Sequence, residues 1–328
     1  MNGLWKGHGS KQRASTIGRW SLGLLLFFLL APNALQALES QWEWVNPLPQ
    51  GNSLTAVEVS DGQWTAVGNF GTVMTSTDGS QWVSQETPST DDLNDVVSDG
   101  TTAVAVGDSG MILTSADGVE WIQRSSGTTE ALLAVAYGNG TFVAVGILGD
   151  HGIVLRSPNG IDWTVSFLES GIPIGLTWGD GEFIAVGLWG AILSSTDGVN
   201  WIAQDTGSYA MLHDIAWNGS LYAAVGDMGA VLTSTDATIW VTQTSGTSST
   251  LDTVVSAGGR FMAGGSAGVI LTSGDGETWV TEDSGVSENL SGAATDGTRT
   301  LFVGGYGAMT IAEESGAWTP LSSGPTYT

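Results

Sequence analysis

Residues 132–165 read LLAVAYGNGTFVAVGILGDHGIVLRSPNGIDWTV. Leu132 to Tyr137 is a short apolar run, Gly138-Asn139-Gly140 is a turn, and Thr141 to Ile147 is a run of β-forming residues. A glycine-bearing turn leads into Gly152 to Ser157, Pro158-Asn159-Gly160 reverses the chain again, and a last strand runs from Asp162 through Val165. These are four short strands joined by hairpins, with no helical periodicity.

The unit recurs. SADGVEW ends at Trp121, STDGVNW at Trp201 and SGDGETW at Trp279, with variants ending at Trp82, Trp163 and Trp240. With Trp44 and Trp318 included, the tryptophans lie 38, 39, 42, 38, 39, 39 and 39 residues apart. Four strands at that period are the signature of a β-propeller blade. Second strands of the AVG type begin at Trp64, Ala103, Phe142, Phe183, Tyr222, Phe261 and Leu301. The expected fold is therefore all-β, a seven-bladed β-propeller of four-stranded antiparallel blades over residues 38–328. Eight tryptophan strands for seven blades leave one spare, so the strand at Trp44 or the one at Trp318 completes the closing blade, and closure protects the sheet edges.

Within Ser-x-Asp-Gly-x-x-Trp, the Asp can accept backbone N–H groups across the turn, the Gly can take positive φ, and the Trp can pack over the turn. Asp78, Asp117, Asp197, Asp236 and Asp275, with Asn159 in the third unit, read as structural, as do Trp82, Trp121, Trp163, Trp201, Trp240 and Trp279. As metal ligands these carboxylates would have to converge, yet each belongs to a separate blade. Ala237 replaces the Gly in the fifth unit.

Residues 1–37 stand outside the repeat. Lys6, Lys11, Arg13 and Arg19 precede the apolar run SLGLLLFFLLA (Ser21 to Ala31), then Pro32 and a small Ala37. That order predicts a secretory signal peptide over 1–37, with an uncleaved N-terminal anchor as the alternative and the only route to a membrane. The remainder keeps four arginines against 33 acidic residues, a formal charge of −29, and has no lysine. Such a surface repels phosphates, which excludes nucleic-acid binding. It suits either plain solubility or a basic partner. The absence of cysteine leaves stability to packing alone.

The S-x-D-G-x-x-W turns, each followed by a loop such as Ser126 to Val135 and an AVG strand, resemble the Asp-box (BNR-repeat) propellers, and among them the photosystem II stability and assembly factor-like proteins. The resemblance covers nearly all of residues 40–328. It implies a non-enzymatic assembly chaperone on the lumenal or periplasmic face, meeting its client through a basic patch. Arg124, Arg156, Arg260 and Arg299 are too scattered to supply one.

Asp-box propellers also include sialidases and other glycoside hydrolases. A sialidase site needs an arginine cluster for the substrate carboxylate, and its Arg-Ile-Pro entry motif is missing. A hydrolase with two carboxylates elsewhere stays open, because their pairing in space is not written in the sequence. His213-Asp214 is the one His-to-Asp dipeptide after residue 37, and strand alternation sends the two to opposite faces. Asp95 shares the repeat position of Asp214, where other blades have Ala56, Ala134, Gly175, Thr253 and Gly292. This position is expected to line the channel, with a cation between Asp95 and Asp214 as the alternative. No catalytic residue, metal site or cofactor is assigned.

The second-to-third-strand hairpins should cluster on the face opposite the Asp-Gly turns. Their tips carry Phe70, Asp108, Leu188, Trp189, Asp227, Met228 and Tyr306, and the loop bearing Tyr209 should join them. Large apolar tips either fold over one another or anchor a partner. The reading is an exported scaffold, periplasmic or secreted and monomeric, that recognises a protein partner through the tip face, the acidic surface suiting a basic one. The alternative is a glycan-binding propeller or a glycoside hydrolase.

Overall fold

The structure, a computed structural model, describes residues 51–313 and 316–321. The signal-peptide segment and the strand expected at Trp44 lie outside the described residues.

Blade I shows how the sequence builds the unit. β1 (Leu54–Ser60), β2 (Gln63–Gly68), β3 (Thr72–Ser76) and β4 (Val83–Gln85) pair antiparallel in chain order. β2 buries every residue from Trp64 to Gly68, since it lies mid-sheet with a neighbouring blade on either face. That is why the AVG strands are continuously apolar instead of alternating. Only the outer β4 is polar and exposed. Six more sheets repeat this order over residues 93–124, 132–167, 173–204, 212–244, 251–282 and 290–320, here blades II to VII.

The apolar cores lie between blades. Trp121 packs with Leu93, Val96 and Leu113 of its own blade and with Val67 and Val73 of blade I. Trp82 does the same at the seam of blades VII and I, and Trp240 at that of IV and V. Trp163, Trp201, Trp279 and Trp318 join their seams half-buried. Each tryptophan thus closes the seam with the preceding blade.

Blade VII is completed by the short strand after Trp318 (Thr319–Pro320), so the C-terminal tryptophan strand fills the place the sequence left open. All seven blades are built from consecutive strands, and the ring closes by packing. At the closing seam Tyr306 N–H donates to Ser53 Oγ at 3.2 Å, and the Arg299 guanidinium lies 5.9 Å from the Trp64 ring and donates to the Asp78 carbonyl. A Cβ on Gly292 would stand 2.6 Å from Ala56 Cα, so the two first strands approach too closely there for any side chain.

Every first strand carries a one-residue bulge at the same point: Thr55, Asn94, Leu133, Ile174, His213, Asp252 and Ser291 are skipped by the pairing. A bulge twists the strand and re-aims a side chain. All seven face the central channel.

Replacing Trp121, 7 % exposed, with Ala is expected to cost about 3–5 kcal/mol as a large-to-small core change. Urea denaturation of the variant measures it, and a loss below about 1 kcal/mol would mean that the seam does not depend on this ring.

Candidate partner-binding face

The two ends of the ring have different chemistry. At one end the Asp-Gly turns are closed on themselves. Asp78 Oδ1 accepts N–H groups from Ser80 and Gln81, both at 2.7 Å, Ser76 Oγ accepts Gly79 N–H at 2.9 Å, and Trp82 Nε1 donates to Gly79 O at 3.1 Å. Asp117, Asp197, Asp236 and Asp275 repeat the pair of backbone bonds, and Asn159 makes it with its amide oxygen. Ala237 takes the glycine's left-handed conformation, φ 57°, and still receives Trp240 Nε1 on its carbonyl at 3.0 Å. Accepted N–H groups hold these five aspartates below the usual carboxylate range, Asp236 down to about 2. Their role is to fold the turn.

The other end is built from the Gly-x-x-Gly hairpin tips. In blade IV the tip Leu188–Gly190 is gripped from both sides. Leu188 N–H donates to Ile172 O at 3.0 Å, and Gly190, at φ 72°, sits where a Cβ would fall 2.1 Å from Ser208 O. The residue between them has nothing to hold. Phe70, Ser109, Trp189, Met228, Ala267 and Tyr306 occupy this crown position in six blades, all left-handed at φ 54–58°. Phe70 is 65 % exposed, Trp189 66 %, Met228 80 % and Tyr306 81 %, so the tips stand in solvent and do not fold over one another. Blade III has instead a tight hairpin that pairs Leu148 with His151.

Tyr209, 87 % exposed, joins this face in the loop between blades IV and V. That loop touches both adjoining tips, through Gly190 against Ser208 and through Asp227 N–H on Met211 O at 2.9 Å. Trp189, Tyr209 and Met228 therefore flank one loop. Ser53 makes the equivalent link at the closing seam, receiving Asn69 N–H on its carbonyl and Tyr306 N–H on its hydroxyl. Phe70 and Tyr306 flank it. Asp108 is exposed and accepts Asn94 Nδ2 at 3.0 Å, whereas Leu188 is half-buried at the channel mouth. Phe167, 65 % exposed at the tip-side end of blade III's outer strand, belongs to the face as well and was missed by the sequence reading.

The channel, about 660 Å³, opens among these tips. His213 faces Asp227 Oδ1 at 2.9 Å, and Asp227 also receives Thr250 Oγ1 at 3.4 Å. Asp214 turns elsewhere, accepting Val254 N–H at 2.8 Å and Thr253 Oγ1 at 3.1 Å from blade VI. Asp95 makes the matching bridge to Val135 N–H of blade III at 2.8 Å. The two carboxylates latch neighbouring blades. Among the described residues no three His, Asp or Glu side chains are grouped to hold a metal ion. Enclosure in the ring pushes Asp95 up to about 7, with the charge of Asp214 adding to it, and Glu58 up to about 8, with Asp95 adding.

No family model matches the chain, and no curated protein matches it. Solved structures do. The chain is similar in fold to YCF48 from Cyanidioschyzon merolae, with a TM-score of 0.66 and 19 % identity over 81 % of this chain and 97 % of that one. It is similar also to YCF48 bound to a D1 peptide, with a TM-score of 0.67 and 20 % identity over 84 % of this chain and 95 % of that one. At these identities the likeness is one of fold, and it falls on the group that the repeats resemble.

The two sets of carboxylates give stability opposite pH slopes. A group raised in the folded state stabilises fully below its unfolded value and loses that contribution as pH rises through the folded one, here from 4.5 toward about 8 for Glu58. A depressed group contributes above its unfolded value and loses it as pH falls, here from 3.8 toward about 2 for Asp236. The urea midpoint is expected to rise as pH drops from about 8 to about 5 and to collapse between about 4 and 2. Glu58→Gln should flatten the alkaline limb and leave the acid limb unchanged; an unaltered alkaline limb would clear Glu58 of this role.

Proposed function

We propose that this chain is an exported, non-enzymatic scaffold, periplasmic or secreted, that binds a protein partner through its hairpin-tip face. The observation that carries the reading is the conformation of the crown residues. A left-handed backbone costs a non-glycine residue roughly 1–2 kcal/mol, and glycine would sit there without that cost. Phe, Trp, Met and Tyr occupy it instead, with their side chains in water. Folding gains nothing from them, so a use outside the fold accounts for their presence.

The charge of the face supports a basic partner. Asp92, Asp108, Glu130, Asp227, Asp252 and Glu288 lie at the tip end, where Arg124 on the outer strand of blade II is beside Ser109, whereas Arg260 and Arg299 begin second strands at the far end. YCF48 bound to a D1 peptide supports a peptide ligand for a ring of this fold. Four of the exposed anchors, Phe70, Trp189, Tyr209 and Tyr306, are aromatic rings, which also suits a sugar face. A glycan array separates the two readings.

Trp189→Gly and Met228→Gly are expected to leave unfolding free energy within about 1 kcal/mol of the parent, because relief of the left-handed strain offsets the added unfolded-state entropy. They should weaken binding of a crosslinked and identified partner by about 2 kcal/mol or more. Binding that survives both substitutions and fails on changes at the Asp-Gly end would reverse the face. The exported chain should begin near Leu38 by intact mass, and recovery of residues 1–37 in a membrane fraction would contradict cleavage.

A further inference from the structure

Resting on that reading of the tip face, we infer that its occupant is an extended basic segment of a partner protein, laid across the channel mouth and held by apolar residues near both ends. Apart from Phe167 on the outer strand of blade III, the exposed anchors form two groups, each organised around one piece of backbone. Trp189, Tyr209 and Met228 flank the loop between blades IV and V, and Phe70 and Tyr306 flank Ser53. In a ring of seven, the seam between blades VII and I lies opposite blade IV, so the two groups face each other across the opening. The crowns between them are small, Ser109 on blade II and Ala267 on blade VI.

The interior of the face mixes apolar side chains, Leu133, Ile174 and Met211 among them, with polar and acidic ones. The bulges turn Asn94, His213 and Asp252 into the mouth, Asp95 and Asp214 stand behind them, and His213 already has Asp227 as its partner. Among the described residues no lysine or arginine lines the opening. A folded partner is ordinarily gripped by an apolar centre inside a polar rim. On this face the largest exposed apolar side chains stand at the perimeter, and the charged groups of the middle are carboxylates. The complement of that order is a chain with cationic side chains between two apolar ends, extended enough to reach both groups.

The test uses the exported chain and synthetic peptides with a Trp-Leu pair at each end, two central lysines and Gly-Ser spacers of graded length, titrated by calorimetry. Affinity is expected to peak at one spacer length and fall on either side, since a linker that matches the span makes the second contact intramolecular. A peptide with only one Trp-Leu end should bind roughly tenfold or more weakly. The pairs Trp189→Gly with Met228→Gly, and Phe70→Gly with Tyr306→Gly, should each lower the two-ended peptide to that level. Exchanging the lysines for glutamine should weaken binding at low salt and make little difference at high salt.

Affinity independent of spacer length, two peptides per ring, or no effect of the lysines would overturn the crossing peptide while the crowns remain a binding face. Indifference of both peptides to all four crown substitutions would instead remove the face itself. Self-association of the chain abolished by the same substitutions would assign the face to a second copy and overturn the inference.

Discussion

The tryptophan after each Asp-Gly turn reaches back over the preceding blade, and the ring stands on that one contact made at every seam. A four-stranded twisted sheet has two apolar faces and no interior, so it is stable only when both are covered. Here β2-type strands buried on both sides leave each blade dependent on two neighbours, and the tryptophan seals the outer part of the gap. The hydrogen bonds of the turn have a single purpose in this scheme. By fixing the carbonyl that receives the indole N–H of Trp82, Trp121, Trp163, Trp240 and Trp279, though not of Trp201, they fix the angle at which the ring enters the seam.

The labour of the two ends follows from the direction of the strands. The turn end must return the chain from third to fourth strand and aim a tryptophan, and its polar atoms are consumed in doing so. At the tip end, the flanking glycines and the carbonyls of the inter-blade loops carry the mechanical load. The residue between two such glycines is therefore free to vary chemically, and in this chain it has varied toward large apolar side chains in four blades.

Strand number, blade boundaries, turn chemistry and the two ends of the disc were all readable from the repeat, because each depends on a local pattern that recurs. The choice between Trp44 and Trp318 was not, since both satisfy the pattern. Strand alternation would send His213 and Asp214 to opposite faces, but the bulge at His213 interrupts it and both line the channel. The bulge at His213 leaves no mark in an apolar count, and Asp227 and Val254 are brought in by neighbouring strands. Phe167 was legible and overlooked. It stands where the other units have Glu86, Ser125, Asp205, Thr244 and Asp283, as Tyr209 stands where they have Thr90, Thr129, Ser248 and Ser287. Comparing units position by position for the residue that departs in size finds both.

The seam between blades VII and I is built like the other six and lacks only the covalent loop that crosses them. Among the described residues every blade is four consecutive strands, and no strand of one repeat is lent to the sheet of another. The unit of sequence and the unit of architecture therefore coincide at their boundaries. Duplication or deletion of one repeat in such a chain adds or removes an intact blade, and a chain opened at any inter-blade loop and rejoined at this seam would keep all seven sheets whole. The ring has a first blade in the order of synthesis and none in its mechanics.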